Sequence, residues 1–109
     1  MSSDRIKQLK AFVEMDPSDS FSKFALALEY LKTSQTIEAH KLFVDIVEND
    51  PNYVGVYYHL GRLYEVLDQP TKAMDIYKKG IDIAVTTNDH HAASELRQVL
   101  DDLEYSMDN

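Results

Sequence analysis

The chain has 109 residues, 44% of them apolar, with three glycines, three prolines and no cysteine; this supports one modest core burying about 65% of the extended surface and excludes a disulfide framework or a thiolate site. Nineteen Asp and Glu against eleven Lys and Arg leave a formal charge of -8, and with no basic stripe to offset that field, nucleic acid is excluded as a partner and basic partners are favoured. The first fifteen residues hold no signal-peptide core and nowhere do about 20 apolar residues run together, so the expectation is a cytoplasmic protein outside the membrane.

Ile6, Leu9, Lys10 and Val13 fall at three- and four-residue steps with Phe12 beside them, which predicts an amphipathic helix over about 3–14, capped by Ser2 or Ser3. Asp16-Pro17-Ser18-Asp19 ends it, because the residue before proline avoids the helical region and Ser and Asp supply acceptors for the next helix. A second helix, about 20–33, carries Phe21, Phe24, Leu28 and Leu31 on one stripe and Leu26, Ala27 and Tyr30 on an adjoining one. A third, about 36–48, packs through Ala39, Leu42, Phe43, Ile46 and Val47, and the short linker before it folds it back into a helical hairpin.

The pattern then restarts. Asn49-Asp50-Pro51-Asn52 breaks the chain, and a helix over about 54–67 presents Tyr57, Leu60, Gly61 and Tyr64. Asp68-Gln69-Pro70 turns it, with Pro70 at the first helical position, where its missing amide costs nothing. The return helix, about 70–84, uses Ala73, Ile76, Tyr77, Gly80, Ile81 and Ala84. After a break and cap at Thr86–Asp89, a last helix over about 90–106 gathers Ala92, Ala93, Leu96, Val99, Leu100 and Leu103 on one face.

The two hairpins share a register 34 residues apart. Asp16-Pro17 recurs as Asp50-Pro51, Leu26-Ala27 as Leu60-Gly61, Tyr30 as Tyr64, Ala39 as Ala73 and Phe43 as Tyr77. Small residues at the crossings let the helices approach, and aromatics fill the gaps above and below. A 34-residue helical period with an aromatic, then Leu-Gly, Tyr, Ala, an aromatic and a small residue, here Tyr57, Leu60-Gly61, Tyr64, Ala73, Tyr77 and Gly80, resembles the tetratricopeptide repeat (TPR) family. The first copy departs from that pattern at Lys23, Ala27 and Ile46 without spoiling the order of sizes. Leu9 and Phe12 match Phe43 and Ile46, so the first helix is similar to the second half of a preceding repeat.

The resemblance implies an all-α stack of antiparallel hairpins with about six helices in a single domain, 1–109. It divides into an N-terminal helix, 3–15, repeats over 18–51 and 52–85, and a capping helix, 88–107. Stacked hairpins curve, and the first helix of each pair lines a concave face. By resemblance the groove residues are Phe21, Phe24, Leu28 and Lys32, then Tyr58, His59, Arg62 and Val66, then Ala92 and Leu96. The implied function is that of a scaffold or adaptor holding a peptide or helix of a partner protein, with apolar anchors and Arg62 or Lys32 orienting a carboxylate. Chaperone-tail clamps of the family use Lys and Asn where this chain has Phe24, Leu28 and His59, so apolar recognition is expected instead.

Phe21, Phe24 and Leu28 also read as ordinary core packed against the first helix, the reading their residue types favour most, or as a contact with a second copy; the alternative function is a homodimer, with Ile6, Leu9, Leu96, Leu100 and Leu103 pairing across a symmetric interface. Catalysis is not expected. His90-His91 beside Asp89 point in different directions on a helix, His59 with Glu65 and His40 with Asp45 are not spaced to face each other, and no serine stands in a nucleophile turn. No cofactor or metal is implied.

Overall fold

The computed structural model describes residues 2–108, with side chains from residue 4 onward. Six helices follow in order: α1 Ser2–Met15, α2 Ser20–Lys32, α3 Thr36–Asn49, α4 Gly55–Val66, α5 Pro70–Thr86 and α6 His90–Asp108. The helix cap expected of Ser2 or Ser3 lies outside the described side chains. The helices form two compact units, residues 1–53 and 54–109. In the first, α2 packs against both α1 and α3; in the second, α5 packs against both α4 and α6.

The repeated Asp-Pro dipeptide builds the same turn twice. Asp19 N–H donates to the Asp16 carbonyl at 3.0 Å, and Tyr53 N–H to the Asp50 carbonyl at 3.0 Å, with proline second in each four-residue turn, where its fixed φ suits the bend. Asp19 then caps α2, accepting from Ser22 N–H at 3.3 Å and Ser22 Oγ at 2.7 Å. These donors hold the Asp19 carboxyl below the usual carboxylate range. Asp89 caps α6 in the same way, accepting from Ala92 N–H at 3.0 Å.

The ends of α2, α4 and α5 are closed by one device. Ser34, Asp68 and Asn88 adopt left-handed backbone, with φ of 62°, 57° and 59°. The amide of the next residue reaches back to a carbonyl of the helix in each case: Gln35 to Tyr30, Gln69 to Tyr64 and Asp89 to Ala84, all at 2.8 Å. This six-to-one bond satisfies a carbonyl that a helix end otherwise leaves orphaned.

The core of the first unit is Leu9, Leu26, Ala27, Tyr30, Ala39, Phe43, Ile46 and Val47; that of the second is built on Val56, Tyr57, Leu60, Tyr64, Ala73, Tyr77, Ala84, Leu96 and Leu103. The crossings are as tight as the size pattern requires. A Cβ at Gly61 would stand 2.1 Å from the Tyr77 ring, and one at Gly80 2.5 Å from Tyr57 Cβ. The leucines expected to pair across a dimer are used inside the chain: Leu9, Leu96, Leu100 and Leu103 are all buried. Ile6, expected beside them, is half-buried.

One core position of the first unit is charged. Lys23 stands where the second copy has Tyr57, its side chain is 7% exposed, and Nζ lies 2.9 Å from an Asp45 carboxylate that is 39% exposed. An enclosed ammonium is tolerated only with such a partner. Asp45→Ala is expected to cost about 1–2 kcal/mol, below the range for fully buried pairs because Asp45 is partly solvated. Lys23→Tyr, which installs the second copy's residue, is expected to leave stability unchanged or raise it. Urea unfolding of both variants checks the ordering, and a larger loss for Lys23→Tyr would refute it.

Candidate protein-binding surfaces

Each unit contributes its own exposed face, and the residues expected to line a groove divide into three groups. On α2, Phe21 is 68% exposed and Lys32 projects into solvent, its Nζ 3.3 Å from Glu29. Glu29 is itself largely enclosed and also faces Arg5 at 3.9 Å. On α4, Val66 is 77% exposed, and the exposed Arg62 guanidinium lies 3.5 Å from Glu65. These four are open to a partner.

Phe24, Leu28, Tyr58, His59 and Ala92 are half-buried. Phe24 is held in an aromatic cluster, its ring centroid 6.1 Å from that of Phe43 and 5.5 Å from that of Tyr53, so it serves the first unit's packing first. Tyr58 meets the His59 ring edge-on at 5.4 Å. Leu96 is 1% exposed and lies against the Gly80 crossing, which places it in the core rather than on a binding face.

Burial holds the His59 imidazole below its ordinary range, while the Glu95 carboxylate on α6 pulls the other way. The folded state therefore prefers neutral His59. Its contribution to stability is complete above about pH 6.5 and is lost as pH falls from there toward the lowered folded value. Thermal unfolding between about pH 7 and pH 5 is expected to show a decline that His59→Gln makes shallower. An unchanged slope in that variant would remove His59 from the account.

The size code hid some features of the surface. Phe12, Met15 and Ile37 are 54%, 83% and 70% exposed. A cleft of about 220 Å³ opens between α1 and α3 over a floor of Val13, Leu26, Tyr30 and Leu42, with Lys10, Glu14, Glu38 and Lys41 at its rim. Two acids and two bases leave that rim without net charge. Among the described residues no group of three or more His, Asp or Glu is placed to hold a metal ion, and no helix is long and apolar enough to cross a membrane.

Hairpins with small residues at their crossings, repeated at 34 residues, define a helical-repeat scaffold. A scan against protein-family models returns no match. The solution structure of a tetratricopeptide repeat domain protein from Salinibacter ruber is 45% identical, covers 82% of this chain and 90% of that one, and superimposes with a TM-score of 0.79. The chain belongs to the tetratricopeptide repeat family. The TPR2B domain of yeast Sti1, complexed with pHsp70, shares the fold with a TM-score of 0.87 at 17% identity, over 96% of this chain and 84% of that one. Anaphase-promoting complex subunit 3 of Dictyostelium discoideum is 27% identical over 100 residues, 92% of this chain and 10% of the relative, so the chain spans about a tenth of that protein's length. Repeats of this family are generally scaffolds for protein-protein interaction.

Proposed function

We propose that this chain is an adaptor that holds a short segment of a partner protein, using exposed side chains of α2 in the first unit or of α4 in the second. One observation carries the reading. The first helix of each hairpin closes its packing positions yet keeps a large apolar side chain and a cation at the surface, Phe21 with Lys32 and Val66 with Arg62. On α4 the two stand one turn apart, and an exposed apolar group beside a cation suits a peptide that supplies an apolar anchor and a carboxylate; on α2, Phe21 and Lys32 stand at opposite ends of the helix. The Arg62–Glu65 pair is partly solvated on both sides and contributes little to folding, so a ligand carboxylate can replace the glutamate at small cost. Leu28 and Tyr58, half-buried, add apolar area beside these anchors.

The test is selection of binding peptides from a displayed random library, followed by titration of the selected peptides against four variants: Phe21→Ser, Lys32→Glu, Arg62→Glu and Val66→Ser. Circular dichroism is expected to show all four folded. At least one helix's pair of variants is expected to weaken binding about tenfold, equivalent to about 1.4 kcal/mol. Unchanged affinity in all four would refute the reading.

A further inference from the structure

The two hairpins differ at three linked positions. Where the second has Arg62, Glu65 and Tyr77, the first has Leu28, Leu31 and Phe43, so a charged pair and a phenol occur together in one copy and hydrocarbons replace all three in the other. Tyr77 is 0% exposed and donates its hydroxyl hydrogen from α5 to Oε2 of Glu65 on α4. Arg62 faces both groups, its Nη1 3.5 Å from the same carboxylate oxygen, while its side chain is 55% exposed. A guanidinium carries five N–H donors in a planar fork, so these contacts leave most of the fork for a partner.

The two cations offered by α2 and α4 differ in what their capture would leave behind. Glu29, beside Lys32, is 14% exposed, and its Oε2 has no hydrogen-bond partner among the described residues. Lys32 Nζ, 3.3 Å from that oxygen but outside hydrogen-bond geometry, and Arg5 at 3.9 Å are the cations that compensate it. A partner carboxylate that took Lys32 would strand an enclosed charge. One that takes Arg62 leaves Glu65 on the Tyr77 phenol. Tyr58, Arg62 and Val66 also form one row of α4, about 6 Å per step, with half-buried Tyr58 and exposed Val66 on either side of the guanidinium.

We infer that Arg62 reads a single Asp or Glu side chain in the interior of a partner segment, flanked by apolar side chains that meet Tyr58 and Val66, and that Tyr77 is the positioning residue that makes Arg62 available. The inference rests on the adaptor reading and places its carboxylate on the second unit. With apolar contact on both sides of Arg62, a partner's backbone passes over the guanidinium, which calls for a side-chain carboxylate and not a chain end. One acid is called for and not a run of them: Glu65 stays beside Arg62, Glu95 of α6 faces His59 one turn earlier, and the chain carries a net charge of -8. Lys72 of α5 does not offset them at this face, since it stands 5.9 Å from the Tyr64 ring, which the helical period puts on the opposite side of α4 from Arg62.

The probes are two displayed peptide libraries of about 15 residues, roughly four helical turns, random in neutral residues and with one fixed central residue, glutamate in the first and glutamine in the second. Binders are expected from the first. In fluorescence anisotropy with a selected peptide made as its C-terminal amide, replacing the glutamate by glutamine is expected to weaken binding about tenfold, and Arg62→Gln to weaken it as much and to erase the difference between the two peptides. Glu65→Gln should tighten the glutamate peptide. Tyr77→Phe should weaken it about threefold and leave the glutamine peptide unchanged, and that effect should shrink in the Glu65→Gln background, where no carboxylate competes for Arg62. Lys79→Gln, at an exposed lysine of α5, should change neither peptide. Equal affinity of the two peptides, or an Arg62→Gln variant that binds as the native chain does, would overturn the inference, and so would a Tyr77→Phe variant that weakens both peptides alike. Weakening by Lys32→Gln in place of Arg62→Gln would move the carboxylate to α2, and equal binding of a peptide cut short so that its terminal carboxylate replaces the glutamate would mean that the row reads a chain end; either result overturns the assignment. If neither library yields a binder while an unrestricted one does, the adaptor reading stands and this inference falls; if no library yields one, both fall.

Discussion

Tyr77→Ala is expected to lower the free energy of unfolding by about 3–5 kcal/mol, the range for truncating a fully buried aromatic. Tyr77 is 0% exposed, and its ring fills the space left open by Gly61. Removing the ring leaves a void beside a residue with no side chain to fill it, so little of the cavity can collapse. Tyr77→Phe separates ring from hydroxyl. The phenol donates a hydrogen bond to the Glu65 carboxylate, which also meets Arg62, so losing it is expected to cost about 1 kcal/mol. The first copy already carries Phe43 at this position, fully buried and with no hydroxyl. Urea unfolding followed by circular dichroism checks both values, and a loss in Tyr77→Phe equal to that in Tyr77→Ala would show that the hydrogen bond, not the ring, carries the stability.

The same pair predicts behaviour in alkali. Burial, then the hydrogen bond and charge of Glu65, push the Tyr77 phenol well above its ordinary range, and burial pushes Tyr53 and Tyr64 up as well. The folded state holds these phenols protonated while the unfolded chain releases their protons from about pH 10. Their contribution is therefore complete below that pH and is lost as pH rises through it. In Tyr77→Phe the alkaline loss should be smaller than in the native chain.

Gly80→Ala is the second large effect, with an expected net cost of about 1–3 kcal/mol. Helix propensity alone predicts a gain of about 1 kcal/mol, because glycine inside a helix is entropically costly. The new methyl would sit 2.5 Å from Tyr57 Cβ and 3.0 Å from Leu96 Cδ1. A Cβ cannot rotate away, so α4 and α5 must separate, and overpacking outweighs propensity. Gly55→Ala is the control: nothing stands within 4 Å of its Cβ, and the substitution is expected to be neutral or mildly stabilising. Thermal unfolding of the two variants should move the midpoint in opposite directions, or leave Gly55→Ala unmoved. A stabilised Gly80→Ala would mean that the crossing is looser than described.

The fold was legible because it rests on local signals that repeat. Asp16-Pro17 and Asp50-Pro51 marked the turns, Ala27, Gly61, Ala39 and Ala73 the crossings, and helix ends fell within a few residues of expectation. The candidate site was legible only in part, since exposure depends on what other helices cover. Phe24 and Leu28 share a stripe with Phe21, yet Phe24 is drawn into a cluster with Tyr53 from beyond the end of α3. Leu96 looked like a groove residue by analogy and proved to be the wedge against Gly80. Phe12 has the periodicity of a core residue and the register of the buried Ile46, yet it is 54% exposed. Lys23 did leave a trace in the sequence: a lysine at a position where the other copy has a buried tyrosine calls for a counter-ion, which Asp45 supplies.

The three left-handed residues that end α2, α4 and α5 bear on how this chain could change. Ser34, Asp68 and Asn88 hold a conformation for which glycine is the usual choice, and of the three serine is the least suited to it. The chain has therefore left stability unclaimed at its turns, on the order of 1 kcal/mol at Ser34 before the flexibility of glycine in the unfolded chain is discounted. At Ser34 the reserve lies at the far end of α2 from Phe21 and outside α4, which carries Arg62 and Val66. Descendants of this sequence can draw on it to absorb the cost of altering those surfaces, so that partner specificity drifts while the scaffold stays above its folding threshold.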